Sequence, residues 1–380
     1  MRSQRHLWLA LAIWALAGCT QLGTPPGEVA DLDASIRTDL DSALERAVAA
    51  REVPGAVLLV MDRGRIRYRR AAGLRTRDPD APLTIDTVFD LASLTKVLCT
   101  APAVLQLAAR GQLDLDAPVA RYWPDFGNNG KAAILVRQLL THYSGLVSDL
   151  TLAPTWRDMA GARRLIEAMP PLAPPDTIFV YSDVNYAVLG ELVRQASGET
   201  LDAYCTRHLF RPLRMRATAF GGAQAAGRQD LPIAPTSADP DRLGKVHDPT
   251  AARMGGIVGH AGLFGTADDL ARYLRMLFDG GRARGRRVLR RDDIVEMTRN
   301  HAPPGALRQR GFGWDLAGDG NTNALVPFGS YGHTGFTGTS IWADPAREIG
   351  VILLTHRVYP DNSGQVAALR AAVAAVMKRW

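Results

Sequence analysis

A serine and a lysine stand three residues apart in the segment Phe-Asp-Leu-Ala-Ser-Leu-Thr-Lys-Val at 89–97. Residues 97–110 are apolar and mostly helix-forming, so the sequence predicts that Ser93 opens a helix with Lys96 one turn later on the same face. A serine hydroxyl is a weak nucleophile unless a base lies beside it. A lysine can be that base if its pKa falls, which burial and neighbouring cations cause, whereas an arginine keeps its proton.

Lysine is rare in this chain. Among 45 lysines and arginines, only the residues at 96, 131, 245 and 378 are lysines. Because arginine occupies nearly every other basic position, the lysine of Ser-x-x-Lys is less readily explained as a random surface charge. On these four residues alone the alternative stays open, namely a serine N-cap followed by an exposed lysine.

Three more segments support a site at Ser93. They are Leu-Leu-Thr-His-Tyr-Ser-Gly-Leu at 139–146, Tyr-Ser-Asp-Val-Asn-Tyr at 181–186 and His-Thr-Gly-Phe-Thr-Gly at 333–338. With these motifs in this order, the chain resembles the serine β-lactamase-like superfamily. The pattern is that of class C β-lactamases and D-alanyl-D-alanine carboxypeptidases: Ser-x-x-Lys, Tyr-x-Asn and Lys/His-Thr-Gly. The resemblance covers roughly residues 50–357.

This resemblance implies an acyl-enzyme hydrolase that needs no cofactor and no metal. Ser93 would be the nucleophile, Lys96 the amine that helps to remove its proton, and Tyr181 a second base and proton shuttle. The backbone N–H groups of Ser93 and Phe336 would form the oxyanion hole. A phenol has a pKa near 10, so Tyr181 would need neighbouring cations, with Lys96 as one and His333, if charged, as another.

The segment at 333–336 and Asp183 are expected to bind substrate. Two of these residues, Asp183 and His333, depart from the family pattern. Thr334 and Gly335 complete the third motif, and a glycine lets a strand pass close to a ligand. Asp183 replaces the usual asparagine and is expected to pair with Lys96 and orient it, which favours the charged amine. His333 replaces the usual lysine and is only partly charged near pH 7, which favours esters, peptides or carboxylates held by other groups over β-lactams.

The elements that would position these residues predict an α+β fold. Helical periodicity marks 34–50 and 365–379, and helices and long loops fill most of 111–306. Strands are predicted at 55–61, 65–72, 338–343 and 349–355, with a hairpin turn at 62–64. We therefore expect an antiparallel sheet built from both termini (about 32–92 and 307–380), flanked by the terminal helices. An inserted helical subdomain (about 93–306) would border the site in a crevice.

The N-terminus is predicted to be a targeting segment. Two arginines precede a short apolar run at 7–17, which ends in Leu-Ala-Gly-Cys and looks like a bacterial lipobox. Residues 1–19 would be a lipoprotein signal peptide with Cys19 lipidated, and residues 20–31 a linker. The protein would then be exported and anchored to a membrane of the cell envelope. An ordinary secretory signal with an incidental cysteine is the alternative.

Composition excludes other classes. A hydrophobic content of 47% and a charged content of 22% are globular values, and the net charge of +7 comes from scattered arginines, so no nucleic-acid partner is expected. No cysteine–histidine cluster has zinc spacing.

Cys99 and Cys205 lie in apolar helical patterns and are predicted to be buried free thiols, although an exported protein permits a disulfide. The motif histidines at 142, 247 and 260 are interpreted as structural hydrogen-bonding residues.

Three functions remain. The leading one is a serine hydrolase whose substrate is a D-amino-acid-containing peptide, as in peptidoglycan, or an ester. A class C-like β-lactamase and a non-catalytic envelope-binding protein of the same fold are the alternatives.

Overall fold

The computed structural model describes residues 32–153, 155–221, 227–316 and 330–380. Its main element is a seven-stranded antiparallel sheet of order β3-β2-β1-β12-β11-β10-β9, which joins both ends of the chain. The strands are β1 (Gly55–Asp62), β2 (Arg65–Arg77), β3 (Asp80–Pro82), β4 (Phe89–Asp90), β5 (Ala219–Phe220), β6 (Leu263–Gly265), β7 (Arg282–Ala283), β8 (Arg286–Arg287), β9 (Asp315–Leu316), β10 (Tyr331–Thr334), β11 (Ser340–Asp344) and β12 (Ile349–Thr355).

Helices cover both faces of this sheet. They are α1 (Ala34–Ala49), α2 (Ala101–Ala109), α3 (Val136–Thr141), α4 (Asp158–Ala168), α5 (Asp183–Ser197), α6 (Leu201–Cys205), α7 (Arg211–Leu213), α8 (Pro249–Arg253), α9 (Ala267–Phe278), α10 (Arg291–Thr298) and α11 (Ala367–Met377). The terminal helices α1 and α11 pack on one face, and the apolar cluster on the other face continues into the middle of the chain. The predicted α+β class and the antiparallel sheet flanked by the terminal helices are confirmed.

The sequence of strand β1 is almost wholly apolar because both of its faces are buried. Val57, Leu59 and Met61 point into the core shared with the middle helices, whereas Leu58 and Val60 point into the core under α1 and α11. Side chains alternate along a strand, so a strand covered on both faces must be apolar at both registers.

The helix that carries Lys96 begins as a π-helix. Residues Lys96–Thr100 form one π turn, in which the Ala101 N–H donates to the Lys96 carbonyl, and α2 follows. Pro102 is the second residue of α2, and a proline has no N–H for the preceding turn. The wider turn accommodates that missing donor. All five residues of the π turn are buried, so the backbone at Lys96 is held in place.

A small three-stranded sheet, which the sequence did not predict, supports the same region. Strands β4 and β5 each pair with β6, so Phe89 lies opposite Gly265 and Asp90 opposite Phe264. Strands of two or three residues leave no periodicity for a sequence pattern to detect. The pairing brings the segment before β6 next to the start of the Lys96 helix.

The expectation of free thiols at Cys99 and Cys205 is wrong. The two cysteines form a disulfide, with their Cα atoms 5.8 Å apart and a sequence separation of 106. Cys99 lies in the π turn after Lys96, and Cys205 ends α6, which packs against that turn. Sequence alone does not show that these two segments meet.

We predict that this disulfide stabilises the fold. It closes a long loop and so restricts the unfolded chain, an effect that is typically worth about 2–4 kcal/mol. The variant Cys99→Ala/Cys205→Ala should therefore lose about that much free energy of unfolding, measured by urea titration of the oxidised proteins. Treating the wild type with a reductant should give a similar loss. An unchanged unfolding midpoint in both experiments would contradict the prediction.

The N-terminal predictions lie outside the described residues. Residues 1–31, including the lipobox and Cys19, are not described, so the signal peptide and the linker stay predictions. Within the described ranges no helix is long and apolar enough to cross a membrane. The predicted division between the sheet and helical subdomains also stays a prediction.

Candidate active site

Ser93 lies at a tight turn between β4 and the Lys96 helix. Its neighbour Ala92 has φ +47°, which is strained for a residue with a side chain. Asp90 accepts the Ala92 N–H at 2.8 Å, and the Thr95 hydroxyl donates to the Ala92 carbonyl at 2.6 Å. These two side chains hold the turn, so the half-buried Ser93 is presented in one orientation.

Lys96 is wholly buried and lies among three acceptors. Its Nζ is 2.9 Å from the Ser93 hydroxyl, 3.2 Å from the His260 carbonyl oxygen and 2.7 Å from Asp183 Oδ1. An ammonium can donate to Ser93 and to the His260 carbonyl while its charge is paired with the Asp183 carboxylate. The geometry therefore fits a protonated lysine at rest.

The charge state of Lys96 agrees with this geometry. Burial, the largest influence, lowers its pKa, but the Asp183 carboxylate and Tyr181 outweigh burial, so the pKa is raised. A free amine would need a lowered pKa of Lys96, so the resting site differs from that condition. The expected pairing with Asp183 is present and is the main reason for the difference.

Tyr181 completes the catalytic candidates. Its ring centroid lies 4.9 Å from Lys96 Nζ, and both Lys96 and Ser93 influence the pKa of its hydroxyl. Burial raises the pKa of Tyr181 and Lys96 only partly offsets it, so the side chain is a neutral phenol at pH 7. The His142 ring packs on it with centroids 4.5 Å apart, and His142 Nδ1 accepts the Ser182 N–H at 3.0 Å. His142 is thus a structural residue that fixes the position of Tyr181.

His333 is neutral, contrary to the expectation of a partial charge. It is buried, and burial together with the Arg310 cation lowers its pKa to about 3. Its Nδ1 lies 2.8 Å from the Thr334 carbonyl and must carry the proton, which leaves Nε2 as an acceptor. His333 therefore supplies no positive charge for Tyr181 or for a substrate carboxylate. Its ring centroid lies 6.0 Å from that of Tyr181.

The turn after β10 is fastened to the nucleophile turn. Thr337 donates to the Asp90 carbonyl at 2.8 Å and Thr339 to the Leu91 carbonyl at 3.2 Å. A Cβ at Gly335 would lie 2.1 Å from the Thr339 hydroxyl and 2.7 Å from the Leu91 carbonyl, so only glycine fits there. Among the described residues the N–H groups of Ser93 and Phe336 have no protein partner, so both can donate to a ligand.

Ser93, Tyr181 and His333 line one cavity of about 680 Å³, which is a suitable size for a small acyl substrate. All the predicted substrate-side residues border it, namely Asp183, His333, Thr334, Gly335 and Phe336. Within the described part of the chain, no group of three or more histidine, cysteine or acidic side chains is arranged to hold a metal ion. The arrangement can therefore carry a serine nucleophile, a proton pathway and two oxyanion donors.

Sequence reasoning missed several residues around the cavity. Asp90 shapes the nucleophile turn, and burial raises its pKa to about 6 although the His247 and Ala92 N–H groups oppose that. Arg310, Arg357 and Arg370 also line the cavity. In a chain with so many arginines, nothing in the sequence distinguished these three.

We predict that acid destabilises the fold because buried histidines must take up protons. Burial lowers the pKa of His333 to about 3 and that of His356 to about 4, below the value near 6.5 of an unfolded chain. A pKa that is lower in the folded state gives stability that is complete above pH 6.5 and is lost as pH falls towards the folded value. Each such histidine contributes a slope of up to about 1.4 kcal/mol per pH unit.

The test uses His356, which lies outside the cavity and donates from Nε2 to the Arg75 carbonyl at 3.0 Å. His356→Gln keeps a donor but cannot titrate. Urea unfolding between pH 6.5 and 4.5 should show a slope that is shallower by about 1.4 kcal/mol per pH unit in this variant. Equal slopes in the variant and the wild type would contradict the prediction.

Comparison with known proteins identifies relatives along most of the chain. A family profile described as Beta-lactamase matches residues 40–376. N-acetylmuramyl-L-alanine amidase of Bacillus subtilis (strain 168) is 33% identical over 359 residues, which cover 84% of this chain and 80% of the relative. Esterase EstB of Burkholderia gladioli is 31% identical over 394 residues, which cover 90% of this chain and 95% of the relative.

A solved structure shows the same fold. It is described as EstCE1, a hydrolase with promiscuous acyltransferase activity, and it aligns with a TM-score of 0.73 at 22% identity. The alignment covers 90% of this chain and 98% of that chain. At this identity the likeness concerns the fold alone.

Proposed function

The chain belongs to the beta-lactamase family, whose members are serine hydrolases, and from that membership we propose that it hydrolyses an acyl substrate through an acyl-enzyme on Ser93. One observation carries the proposal. The Ser93 hydroxyl lies 2.9 Å from a buried lysine that is itself 2.7 Å from a carboxylate. A non-catalytic binding protein would need neither the nucleophile nor the proton pathway.

The first step has to free the Lys96 amine. Lys96 passes one proton to Asp183, which gives a neutral amine beside a neutral acid in a buried site where separated charges are costly. The amine then takes the proton of Ser93 while the Ser93 oxygen attacks the substrate carbonyl. The N–H groups of Ser93 and Phe336 donate to the oxyanion of the tetrahedral intermediate.

The second step expels the leaving group. Tyr181, a neutral phenol whose ring lies beside Lys96, gives its proton to the leaving oxygen or nitrogen and takes one back from Lys96. Water then attacks the acyl-enzyme, and the same groups act in reverse order. The proton of Ser93 thus departs with the leaving group, a proton of the attacking water replaces it on Ser93, and Asp183 returns its proton to Lys96.

We propose a D-amino-acid-containing peptide of the peptidoglycan type, or an ester, as the substrate. Support comes from two relatives, one named as an amidase and one as an esterase. The neutral His333 disfavours the alternative of a β-lactamase, because it gives no fixed cation for the carboxylate of a penicillin. Any such carboxylate would need other cations in the cavity.

A test of the proposed function compares three substrates. Stopped-flow measurement with 4-nitrophenyl butyrate should show a burst of nitrophenol close to one per protein, followed by slower turnover. Release of D-alanine from an acetylated peptide ending in D-Ala-D-Ala would identify a peptidase. Fast hydrolysis of benzylpenicillin would favour the β-lactamase instead. Neither burst nor turnover with any substrate would favour the non-catalytic binding protein.

We predict that Asp183→Asn lowers kcat/KM by about 10–100-fold at pH 7, since Lys96 loses the acceptor for its extra proton. Without the carboxylate, burial lowers the pKa of Lys96, so the amine is freed at a lower pH. The deficit should therefore shrink as pH rises towards 10. Asp230→Asn, at an exposed acid paired with Arg228, is the control. An unchanged rate and pH profile in Asp183→Asn would contradict the prediction.

We also propose export and lipid anchoring at Cys19, which place the active site in the bacterial cell envelope. Support comes from the lipobox-like sequence. Metabolic labelling with an alkyne fatty acid should label the full-length protein and not Cys19→Ala. Label on both proteins, or on neither, would contradict the anchor.

A further inference from the structure

The cavity beside Ser93 holds more positive charge than its own carboxylates neutralise. Each carboxylate that lines it has a nitrogen partner; the pairs are Asp183–Lys96, Asp248–His260 and Asp315–Arg310. Three other arginines border the cavity, at 308, 357 and 370. Among the described residues, none of these three has a carboxylate within 4 Å. An unpaired charge that is partly buried is costly, and an anionic ligand would relieve that cost.

Arg357 forms the first half of a cationic pair. It follows β12, and its Nη1 donates to Asn362 Oδ1 and to the Gly364 carbonyl, both at 3.3 Å. Its guanidinium carbon lies 4.5 Å from the centroid of the Phe336 ring. Burial lowers the pKa of Arg357. Long bonds to neutral oxygens leave most of its charge without compensation.

Arg370 forms the second half. It projects from α11, and its Nη2 donates to the Thr339 carbonyl at 2.9 Å, whereas its buried Nε has no partner among the described residues. Burial has the largest effect on the pKa of Arg370 and the charge of Arg357 the second largest; together they lower it to about 10. Two guanidinium groups that repel each other beside one cavity form a site where a shared carboxylate would stabilise both.

The position of this pair indicates which part of a substrate it would contact. Tyr181 protonates the leaving group in the proposed reaction, and its ring lies beside that of His333. Phe336 follows His333 by three residues, packs on His247 with centroids 5.6 Å apart, and contacts Arg357. The leaving group therefore lies towards Tyr181 and His333, and the acyl portion extends past the Phe336 N–H towards the arginines.

We propose that the substrate carries a carboxylate on its acyl portion and that Arg357 and Arg370 bind it. The inference rests on the proposed function, because only a substrate that acylates Ser93 has an acyl portion. A guanidinium presents paired N–H donors that match the two oxygens of a carboxylate.

The test uses two esters that differ by one charge, 4-nitrophenyl hydrogen adipate and 4-nitrophenyl methyl adipate, with spontaneous hydrolysis subtracted. Wild-type kcat/KM should favour the acid over the methyl ester by about 10-fold or more, as expected for hydrogen bonds to a charged group. In Arg357→Gln/Arg370→Gln this ratio should fall to within about 3-fold of unity. Arg121→Gln, at an exposed arginine outside the cavity, should keep the wild-type ratio. Equal kcat/KM values in the wild type, or an unchanged ratio in the double variant, would overturn the proposal.

A binding measurement separates this inference from the proposed reaction. In Ser93→Ala, calorimetry should show that the acid binds about 10-fold more tightly than the methyl ester, and the two glutamines should remove the difference. This preference without turnover by the wild type would support the anion site and count against the hydrolase. Turnover of both esters with equal binding would overturn the anion site and leave the hydrolase intact.

A separate experiment tests whether the arginines contact the acyl portion of the substrate or its leaving group. The acetate esters of 3-hydroxybenzoic acid and of its methyl ester carry the charge difference on the leaving group. They should differ by less than about 3-fold in kcat/KM, since that group points away from Arg357 and Arg370. A preference for charge in this pair, and none in the adipate pair, would overturn the assignment to the acyl portion.

Discussion

Ser93→Ala is expected to lower kcat/KM for the best substrate by about 10⁴-fold or more, with a residual rate from the oxyanion donors and substrate binding. The Ser93 oxygen lies 2.9 Å from Lys96 Nζ, so it is the atom through which the proton pathway reaches the substrate. The change removes one half-buried hydroxyl and should leave the fold intact. Steady-state kinetics, with thermal unfolding as a check on folding, measure the effect.

A serine outside the cavity provides the control for that experiment. Ser363 is exposed and bonds only within its own turn, to Asp361. Ser363→Ala should retain wild-type kcat/KM. If Ser93→Ala keeps activity within about 10-fold of the wild type while remaining folded, Ser93 does not form the acyl-enzyme.

Lys96→Arg is the second large effect, with an expected loss of about 10³-fold in kcat/KM. An arginine keeps the positive charge and can still pair with Asp183, but it does not release a proton in a protein. The substitution therefore separates two roles of the lysine. If Lys96 only supplied electrostatic stabilisation, the arginine would preserve much of the rate.

The chain offers a matched control in its other buried lysine. Lys131 is wholly buried and donates to three carbonyls, those of Asn128 at 2.7 Å, Glu167 at 3.1 Å and Met169 at 2.5 Å. It lies outside the cavity, so Lys131→Arg should affect stability and not kcat/KM. Activity of Lys96→Arg within about 10-fold of the wild type would contradict the proton-transfer role.

Local patterns were sufficient to predict the start of the site. Ser93 and Lys96 meet because residues three apart on a helix share a face, and this needs no tertiary information. The strands β1 and β12 were predictable for a similar reason, since their apolar runs are bounded by turns. Tyr181 and His333 lie on distant segments, and only the resemblance to a known family brought them to the same site.

The charge states could not be predicted from the sequence. Lys96 contacts the carbonyl of His260 and the carboxylate of Asp183, which come from other elements, and its pKa reflects their sum against burial. His333 is neutral because it is buried beside Arg310, which the sequence did not place near it. Both pKa values depend on tertiary contacts.

The Cys99–Cys205 disulfide and the arginine pair were missed for a related reason. The disulfide depends on how α6 packs against the π turn, and helical patterns do not specify which helices touch. Arg357 and Arg370 come from different elements near the C-terminus, and they line one cavity because β12 ends and α11 begins beside the turn after β10. The apolar residues around Arg357 and Arg370 were predictable from the sequence, whereas the presence of both arginines at one cavity was not.

The most direct test of the central claim is the intact mass of the protein after treatment with a fluorophosphonate, with wild type and Ser93→Ala measured side by side. We expect one phosphonyl adduct on the wild type, which peptide mapping locates at Ser93, and none on the variant. An adduct on both proteins, or no adduct on a folded wild type, would contradict the assignment of Ser93 as the nucleophile.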